Sequence, residues 1–260
     1  MTSRKPGDKP TASSPVHCGP ESTETVDVKW SAYQAVLFDL DGVITPTAAV
    51  HERAWGQLFS PWNYTTQDYL SFIDGKPRYD GVRSFLGSKG IKLPEGNPGD
   101  RPGDGSVCSL GNKKNELFNT ILEQEGVEPY PGSMLVLELL DRLGTAQAIV
   151  SSSKNARSVL TAAGLGDRFT HIVDGIAAAE LGLAGKPAPD MFVRAAGLLG
   201  VAPADTVVVE DATSGVAAGV AGGFGLVLGV DRGGNRRALL DHGAHIVVDD
   251  LGQTVAEEAK

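Results

Sequence analysis

Short runs of apolar, largely β-branched residues, each ended by turn residues, recur along this chain of 260 residues. Those typical of buried strands are residues 35–38, 146–150, 171–173, 206–209, 226–228 and 245–248. Segments long enough for helices separate the later runs, such as 133–143, 155–163 and 189–199. Unbroken apolar strands that alternate with helices predict a parallel sheet covered on both faces, with too few units for a closed barrel. We therefore expect a doubly wound, Rossmann-like α/β core.

About a hundred residues separate the first predicted strand from the second, far more than one crossover helix requires. Four segments of this stretch have helical patterns: 48–59, 66–72, 78–86 and 113–125. The segment 93–111 is rich in proline and glycine, so we expect it to be an exposed loop. We predict an inserted helical cap over residues 47–129, with the α/β core formed by residues 28–46 and 130–260.

The first 27 residues are rich in proline, serine and threonine. They bury too little apolar surface to offset the entropy lost on ordering, so we expect a disordered tail. This segment lacks the apolar stretch of a secretory signal, and no run along the chain is long and apolar enough to span a bilayer. Cys18 and Cys108 show neither metal-ligand spacing nor a disulfide framework. These features favour the cytoplasm and argue against a membrane partner.

The formal charge is -9, from 23 basic and 32 acidic residues, and no block of lysines or arginines stands out. This balance provides no electrostatic footprint for a polyanion, so we do not expect nucleic acid as a partner. An acidic protein can still bind a phosphorylated metabolite where a divalent cation and a few Lys or Arg side chains set the local field. We expect a small-molecule partner and favour a monomer over an oligomer.

Two carboxylates one residue apart, Asp39 and Asp41, follow the first predicted strand. Ligands of an open parallel sheet bind beyond the carboxyl ends of its strands, so Asp39 is expected where substrates arrive. Acids at this spacing can divide the work of phosphoryl transfer. One attacks phosphorus to form an acyl phosphate, and the other handles the proton of the leaving or entering oxygen. The alternative is an Asp–Gly turn in which Asp39 caps a helix, and the two acids alone do not decide between these interpretations.

Three other strand ends carry groups that suit phosphate or metal. The hydroxyls and amides after the second strand are those of Ser151, Ser152, Ser153, Lys154 and Asn155. They suit phosphate oxygens, although any one of them could simply cap the next helix. Lys186 precedes a proline-initiated helix and offers a point charge to a transferring phosphoryl group, unless it is an ordinary exposed lysine. Glu210 and Asp211 end another strand, and with Asp39 and Asp41 they offer the oxygen ligands that Mg²⁺ prefers.

Taken in chain order, these groups match the motifs of the haloacid dehalogenase superfamily: a pair of acids, a serine, a lysine and a second pair of acids. They cover the whole part of the chain that we expect to fold, so the combination is specific. The resemblance implies a Mg²⁺-dependent phosphotransferase in which Asp39 is the nucleophile and Asp41 the general acid and base. It further implies that Ser151 and Lys186 hold the phosphate that is transferred.

Within this superfamily the chain is similar to the β-phosphoglucomutase family. The similarity is carried by residues 38–45, His51, 75–78, 153–155 and 186–190. It implies a sugar phosphate as the substrate and Arg78 as the group that grips the phosphate that is not transferred. Lys114 and Asn115 resemble a further pair that faces the sugar. The implied substrate-binding residues are His51, Gly75, Arg78, Lys114, Ser152, Ser153, Lys154 and Asn155.

The implied reaction isomerises β-glucose 1-phosphate to glucose 6-phosphate through a phosphoaspartate and a sugar bisphosphate. A sugar-phosphate phosphatase is the alternative, because both enzymes share the core residues and only the cap residues favour the mutase. A binding protein on an inactive scaffold is disfavoured, since every acid, serine and lysine of the motifs is present. Two features depart from the family's pattern: Pro46 stands where an acid is usual, and the segment 93–111 is longer and richer in glycine.

Overall fold

A computed structural model describes residues 26–73 and 76–255 of the chain. Gly75 and the predicted tail up to residue 25 lie outside the described residues. The amide of Val26 donates to the carbonyl of Gln253 (2.8 Å), so residues 26 and 27 are joined to the folded part. Within the described ranges no helix is both long and apolar enough to cross a membrane.

One parallel sheet of six strands forms the core, in the order β3-β2-β1-β4-β5-β6. The strands are β1 (Ala35–Phe38), β2 (Ala146–Val150), β3 (His171–Val173), β4 (Thr206–Glu210), β5 (Leu226–Val230) and β6 (Ile246–Val248). Every predicted strand is present, because apolar runs of this length are stable only where both faces of the sheet are covered. The strand order reverses between β1 and β4, and in open parallel sheets such a reversal marks the place where ligands bind.

Of the α-helices between β1 and β2, the first four lie in the segment that the sequence predicts to be an inserted cap. They are α1 (Thr47–Phe59), α2 (Thr66–Phe72), α3 (Arg78–Ser88) and α4 (Val107–Glu125). Their apolar sides build an aromatic cluster of their own, in which the ring of Phe59 stacks on those of Phe85 (4.0 Å between centroids) and Trp55 (5.3 Å). This cluster accounts for the aromatic residues of α1 as packing groups. The limits of the cap domain stay a prediction.

The prediction of an exposed loop over residues 93–111 is wrong at its C-terminal end. Helix α4 begins at Val107, and residues 107–111 are buried. The hydroxyl of Ser106 accepts a hydrogen bond from the amide of Ser109 (3.0 Å), and the amide of Ser106 donates to the hydroxyl of Ser109 (2.8 Å). This reciprocal cap starts the helix despite the neighbouring glycines, because it satisfies two amides that would otherwise lack partners.

The remaining helices cover both faces of the sheet. They are α5 (Pro131–Leu143), α6 (Ala156–Ala162), α7 (Gly175–Leu181), α8 (Asp190–Leu199), α9 (Thr213–Ala221) and α10 (Arg236–Asp241). In β1, Val36 and Phe38 belong to the apolar layer that contains Leu137 of α5, whereas Leu37 belongs to the layer that contains Phe192 of α8. The doubly wound α/β fold is therefore confirmed.

Candidate active site

Lys186 joins the carboxyl ends of three neighbouring strands. Its ammonium group contacts the carboxylate of Asp39 after β1, the carboxylate of Glu210 at the end of β4 (2.5 Å) and the carbonyl of Val150 in β2 (3.1 Å). The side chain is 5% exposed, which rules out an ordinary surface lysine. Although burial by itself lowers the pKa of Lys186, the charges of Asp39 and Glu210 raise it well above its usual value. Lys186 therefore stays positively charged inside the site.

The carboxylate of Glu210 has partners on both oxygens. One oxygen contacts Lys186, and the other accepts hydrogen bonds from the amides of Asp211 (3.1 Å) and Ala212 (3.0 Å). Gly215 leaves room for this group, because a Cβ at that position would collide with the Glu210 side chain. Glu210 is one of the four acids that the sequence predicts as metal ligands. In the structure its carboxylate faces Lys186 and the start of α9.

Asp41 is the first member of a polar chain that runs from the sheet into the helices of the insertion. Its carboxylate accepts a hydrogen bond from Thr47, and the hydroxyl of Ser151 lies 3.5 Å from it. The Nε2 atom of His51 is 3.7 Å from the same carboxylate. The Nδ1 atom of His51 is 2.5 Å from the Nζ atom of Lys114. The sequence predicted four of these five residues but missed Thr47, because nothing local separates it from other threonines at a helix start.

The carboxylates of the site repel each other. Burial raises the pKa of Asp39 to about 8, and Glu210 and Asp41 act in the same direction while Lys186 opposes them. Burial also raises the pKa of Asp41, against hydrogen bonding from Thr47. The pKa of Asp211 lies well above its usual value because of burial and the charges of Glu210 and Asp39. One lysine therefore does not balance the negative charge gathered here.

The charge excess and the donor atoms fit a Mg²⁺ ion. The carboxylate of Asp211 lies against Gly42, whose φ of +89° and lack of a side chain allow this approach. No donor among the described residues hydrogen-bonds that carboxylate. Within residues 26–73 and 76–255, no three His, Cys, Asp or Glu side chains are grouped so that they could hold a metal ion by themselves. Mg²⁺ does not need such a group, because it is usually bound by one or two carboxylates, with a carbonyl, water and substrate oxygens completing its shell.

A second polar cluster lies between the insertion and the core. The side-chain oxygen of Asn115 on α4 accepts a hydrogen bond from Arg78 Nη2 (2.7 Å) and another from Asn155 Nδ2 (2.7 Å). Arg78 opens α3, and Asn155 precedes α6, so the two donors come from opposite sides of this cluster. Two donors aimed at one oxygen form a site that an anionic oxygen could occupy.

The loop after β2 holds the remaining predicted residues. The hydroxyl of Ser151 accepts from the amide of Ser153 (3.1 Å), and the hydroxyl of Ser153 accepts from the amide of Asn155 (3.1 Å). These hydroxyls therefore shape the loop, whereas Ser152 and Lys154 are exposed beside it. The structure brings this loop next to Asp41 on one side and Asn115 on the other.

Paired acids and a buried lysine meet at the reversal point of a parallel sheet, which is where open α/β sheets bind their ligands. Comparison with known proteins identifies the class of protein. A family model described as haloacid dehalogenase-like hydrolase matches residues 33–223. The chain therefore belongs to the haloacid dehalogenase-like hydrolase family and is an enzyme.

Within that family the chain is similar to β-phosphoglucomutases. It is 45% identical over 239 residues to the β-phosphoglucomutase of Mycobacterium tuberculosis, covering 85% of this chain and 90% of the relative. It is 31% identical over 193 residues to hexitol phosphatase A of Escherichia coli, covering 72% and 78%. A crystal structure of β-phosphoglucomutase from Clostridium difficile matches with a TM-score of 0.70 at 27% identity, covering 87% of this chain and 95% of that one.

Proposed function

We propose that this protein is a Mg²⁺-dependent phosphomutase that interconverts β-glucose 1-phosphate and glucose 6-phosphate. One observation carries the proposal: Arg78 and Asn155 both donate to a single oxygen of Asn115, apart from the acids around Asp39. A mutase must hold both phosphates of a sugar bisphosphate at once, whereas a phosphatase needs to hold one. The similarity to the mycobacterial β-phosphoglucomutase supports the same conclusion.

In the proposed mechanism, Asp39 is the nucleophile. Its carboxylate oxygen forms a bond to phosphorus as the bond between phosphorus and the sugar oxygen breaks. Lys186 and Ser151 would hold the transferring group, since both lie against the acids after β1. Asp39 and Asp211, with the main-chain carbonyl of Asp41, would hold Mg²⁺, whose charge offsets the repulsion between the carboxylates and an anionic phosphate.

Asp41 would move the proton. Its raised pKa suits a general acid that protonates the leaving sugar oxygen and then, as a carboxylate, takes the proton of the attacking hydroxyl. Burial, together with the charges of Lys114 and Arg78, holds the pKa of His51 well below its usual value. A neutral His51 that accepts from Lys114 at Nδ1 keeps its proton on Nε2, which faces Asp41. We infer that His51 orients Asp41 when the sugar is bound.

The substrate sugar phosphate would lie between the two clusters, with Lys114 facing it. Burial lowers the pKa of Lys114 to about 7, helped by the charge of Arg78 and opposed by that of Asp41. An incoming phosphate would favour the charged form of this lysine and so gain a contact. We propose the cytoplasm as the compartment. The free thiol of the buried Cys108 suits a reducing environment.

A phosphatase that acts on sugar phosphates is the second candidate, and the similarity to hexitol phosphatase A is the observation that favours it. The two functions differ in what attacks the phosphoaspartate. We expect a sugar hydroxyl to outcompete water by at least about a hundredfold, because the bound sugar is held in the attacking position. The measurement is the time course of glucose 6-phosphate against free phosphate, with β-glucose 1-phosphate, Mg²⁺ and a trace of glucose 1,6-bisphosphate. Phosphate release in step with substrate loss, across several sugar phosphates, would establish the phosphatase instead.

Arg78→Ala should weaken catalysis by the mutase strongly, because it removes a charged donor of the second phosphate cluster. We expect kcat/KM for β-glucose 1-phosphate to fall about a hundredfold, the scale of a lost charge-assisted hydrogen bond. Arg83→Ala is the matched control, since Arg83 lies on the same helix and pairs with Glu95 at the surface. Equal kinetics in Arg78→Ala and Arg83→Ala would remove Arg78 from the substrate site.

A further inference from the structure

Residues 231–235, between β5 and α10, contact the loops that carry Asp41 and Asp211. They have no role in the chemistry proposed above. Asp231 shapes this segment by accepting hydrogen bonds from the amides of Gly233 (3.2 Å), Gly234 (2.6 Å), Asn235 (2.9 Å) and Arg236 (3.1 Å). Burial raises the pKa of Asp231, but these four amides outweigh burial and hold the pKa below its usual value. The amide of Asp231 donates to the carbonyl of Val248 in β6 (2.7 Å). The segment is therefore a closed turn fastened to the sheet.

Arg232 connects this turn to both places where the chain crosses between the sheet and helices α1 to α4. Its Nε atom donates to the carbonyl of Gly42 (2.8 Å), next to Asp41. Its guanidinium lies 3.6 Å from the centre of the ring of Tyr130, whose amide donates to the carbonyl of Ile44 (2.9 Å). Its Nη1 atom donates to the carbonyl of Asp249 (3.2 Å). Arg232 thus ties the loop of Asp41 to the far edge of the sheet.

Asn235 makes the equivalent contact with the other acid-bearing loop. Its Nδ2 atom donates to the carbonyl of Asp211 (2.9 Å), and its amide is one of the four that Asp231 holds. Arg232 and Asn235, three positions apart in one closed turn, therefore hold two carbonyls. Arg232 holds that of Gly42, next to Asp41, and Asn235 holds that of Asp211. Each contact acts on the main chain, which leaves the carboxylates themselves free to face a ligand.

The two loops need such restraint because they are close and carry the same charge. The Asp211 carboxylate lies directly against Gly42, where a Cβ would collide with it. Like charges on two adjacent loops repel each other, which favours separation of the loops. In the described part of the chain, Arg232 Nη2 and Asn235 Oδ1 are buried without hydrogen-bond partners. Buried polar atoms without partners are rare in folded proteins, and these two indicate that the turn is not optimised for stability alone.

We propose that Arg232 and Asn235 are positioning residues, which hold the loops of Asp41 and Asp211 at the separation that a Mg²⁺ ion requires. The inference rests on the proposed function, because it assumes that the ion binds between these loops. Groups that orient metal ligands in this way commonly affect metal affinity as much as some ligands do. The contacts of Arg232 and Asn235 with the two loops are made to main-chain carbonyls and not to the carboxylates of the proposed mechanism.

The test is the affinity of the full chain for Mg²⁺ alone, measured by isothermal titration calorimetry. We expect Arg232→Gln and Asn235→Ala each to raise the Kd for Mg²⁺ about tenfold or more. Arg237→Gln is the matched control, because Arg237 is 87% exposed and pairs with Asp241 on the surface of α10. Its Kd should equal that of the wild type.

Charge alone predicts the opposite result for Arg232. Removal of a cation near the site should tighten Mg²⁺ binding, so an unchanged or lower Kd in Arg232→Gln overturns the inference. Arg232→Lys keeps the charge but cannot reach the carbonyls of Gly42 and Asp249 together, and we expect it to bind Mg²⁺ as weakly as Arg232→Gln. Unfolding temperatures without Mg²⁺ show whether each variant is folded. If Arg232→Gln does not fold, the Kd values of Arg232→Lys and Asn235→Ala test the inference.

The same titrations separate this inference from the proposed function. A wild-type protein that binds no Mg²⁺ would overturn the proposed metal site and the inference with it. A wild-type protein that binds Mg²⁺, together with Arg232 and Asn235 variants of equal affinity, would overturn the inference and leave the proposed function standing.

Discussion

Replacing Asp39 by asparagine is expected to abolish turnover while the fold persists. The substitution keeps the shape of the side chain but removes the proposed nucleophile and one charge of the proposed metal site together. We expect kcat to fall at least about 10⁴-fold, the scale seen when a covalent nucleophile is lost. The measurement is formation of glucose 6-phosphate from β-glucose 1-phosphate with Mg²⁺ and a trace of glucose 1,6-bisphosphate.

The stability of Asp39→Asn separates a chemical defect from a structural one. Burial, with the charges of Glu210 and Asp41, raises the pKa of Asp39 from 3.8 to about 8. The contribution of Asp39 to stability is therefore full below pH 3.8 and is lost as the pH rises through about 8. An asparagine side chain does not ionise, so the Asp39→Asn variant does not lose this stability as the pH rises. Its unfolding temperature at pH 8 without Mg²⁺ should therefore equal or exceed that of the wild type.

The control for Asp39→Asn is Asp241→Asn, which changes an exposed carboxylate paired with Arg237. This variant should keep the activity and stability of the wild type. Near-normal turnover by a folded Asp39→Asn protein would refute the phosphoaspartate mechanism.

Lys186→Met should destabilise the protein more than any surface substitution. The variant keeps most of the side-chain volume but leaves Asp39 and Glu210 buried without their cation. Loss of one partner from a buried ion pair typically costs about 3–5 kcal/mol in the free energy of unfolding. Urea-induced unfolding without Mg²⁺ measures the loss, and we expect turnover to fall with it, because the transferring phosphate also loses its contact.

The pH dependence of this loss is a further check. Without the opposing charge of Lys186, the pKa of Asp39 in the folded protein should rise further above its unfolded value, so more stability is lost as the pH increases. The difference from the wild type should therefore be larger at pH 8 than at pH 5. Lys113→Met is the control, because the pair between Lys113 and Asp104 is exposed and such pairs contribute less than about 1 kcal/mol. A loss in Lys186→Met no larger than in Lys113→Met would contradict the role of Lys186 as the buried cation that pairs with Asp39 and Glu210.

The two acids at the end of β4 have the same functional group but different surroundings, and we propose different roles for them. Glu210 has both oxygens engaged, by Lys186 and by two amides. Asp211, the next residue, turns its carboxylate toward Gly42 and the acids after β1. In our proposal Glu210 keeps Lys186 charged and in place, while Asp211 binds the metal.

The sheet and most helices could be predicted because their signals are local. The apolar run of β1 is recognisable within four residues, and its burial on both faces needs no knowledge of its partners. The start of α4 was missed for an equally local reason. The Ser106 and Ser109 cap lies among glycines and prolines, whose composition is typical of a loop.

The sequence by itself determined the strands, their parallel arrangement and the acids, serine and lysine at the strand ends, since each follows from residues close together in the chain. Only the tertiary structure decided which of these groups meet. Lys186 and Asp39 are 147 residues apart, and Arg232 and Gly42 are 190 apart. Contacts over such separations depend on how the strands are ordered and how the insertion packs on the core. No local pattern records that order, so the partners of Asn115 and the contacts of Arg232 became visible only in the folded chain.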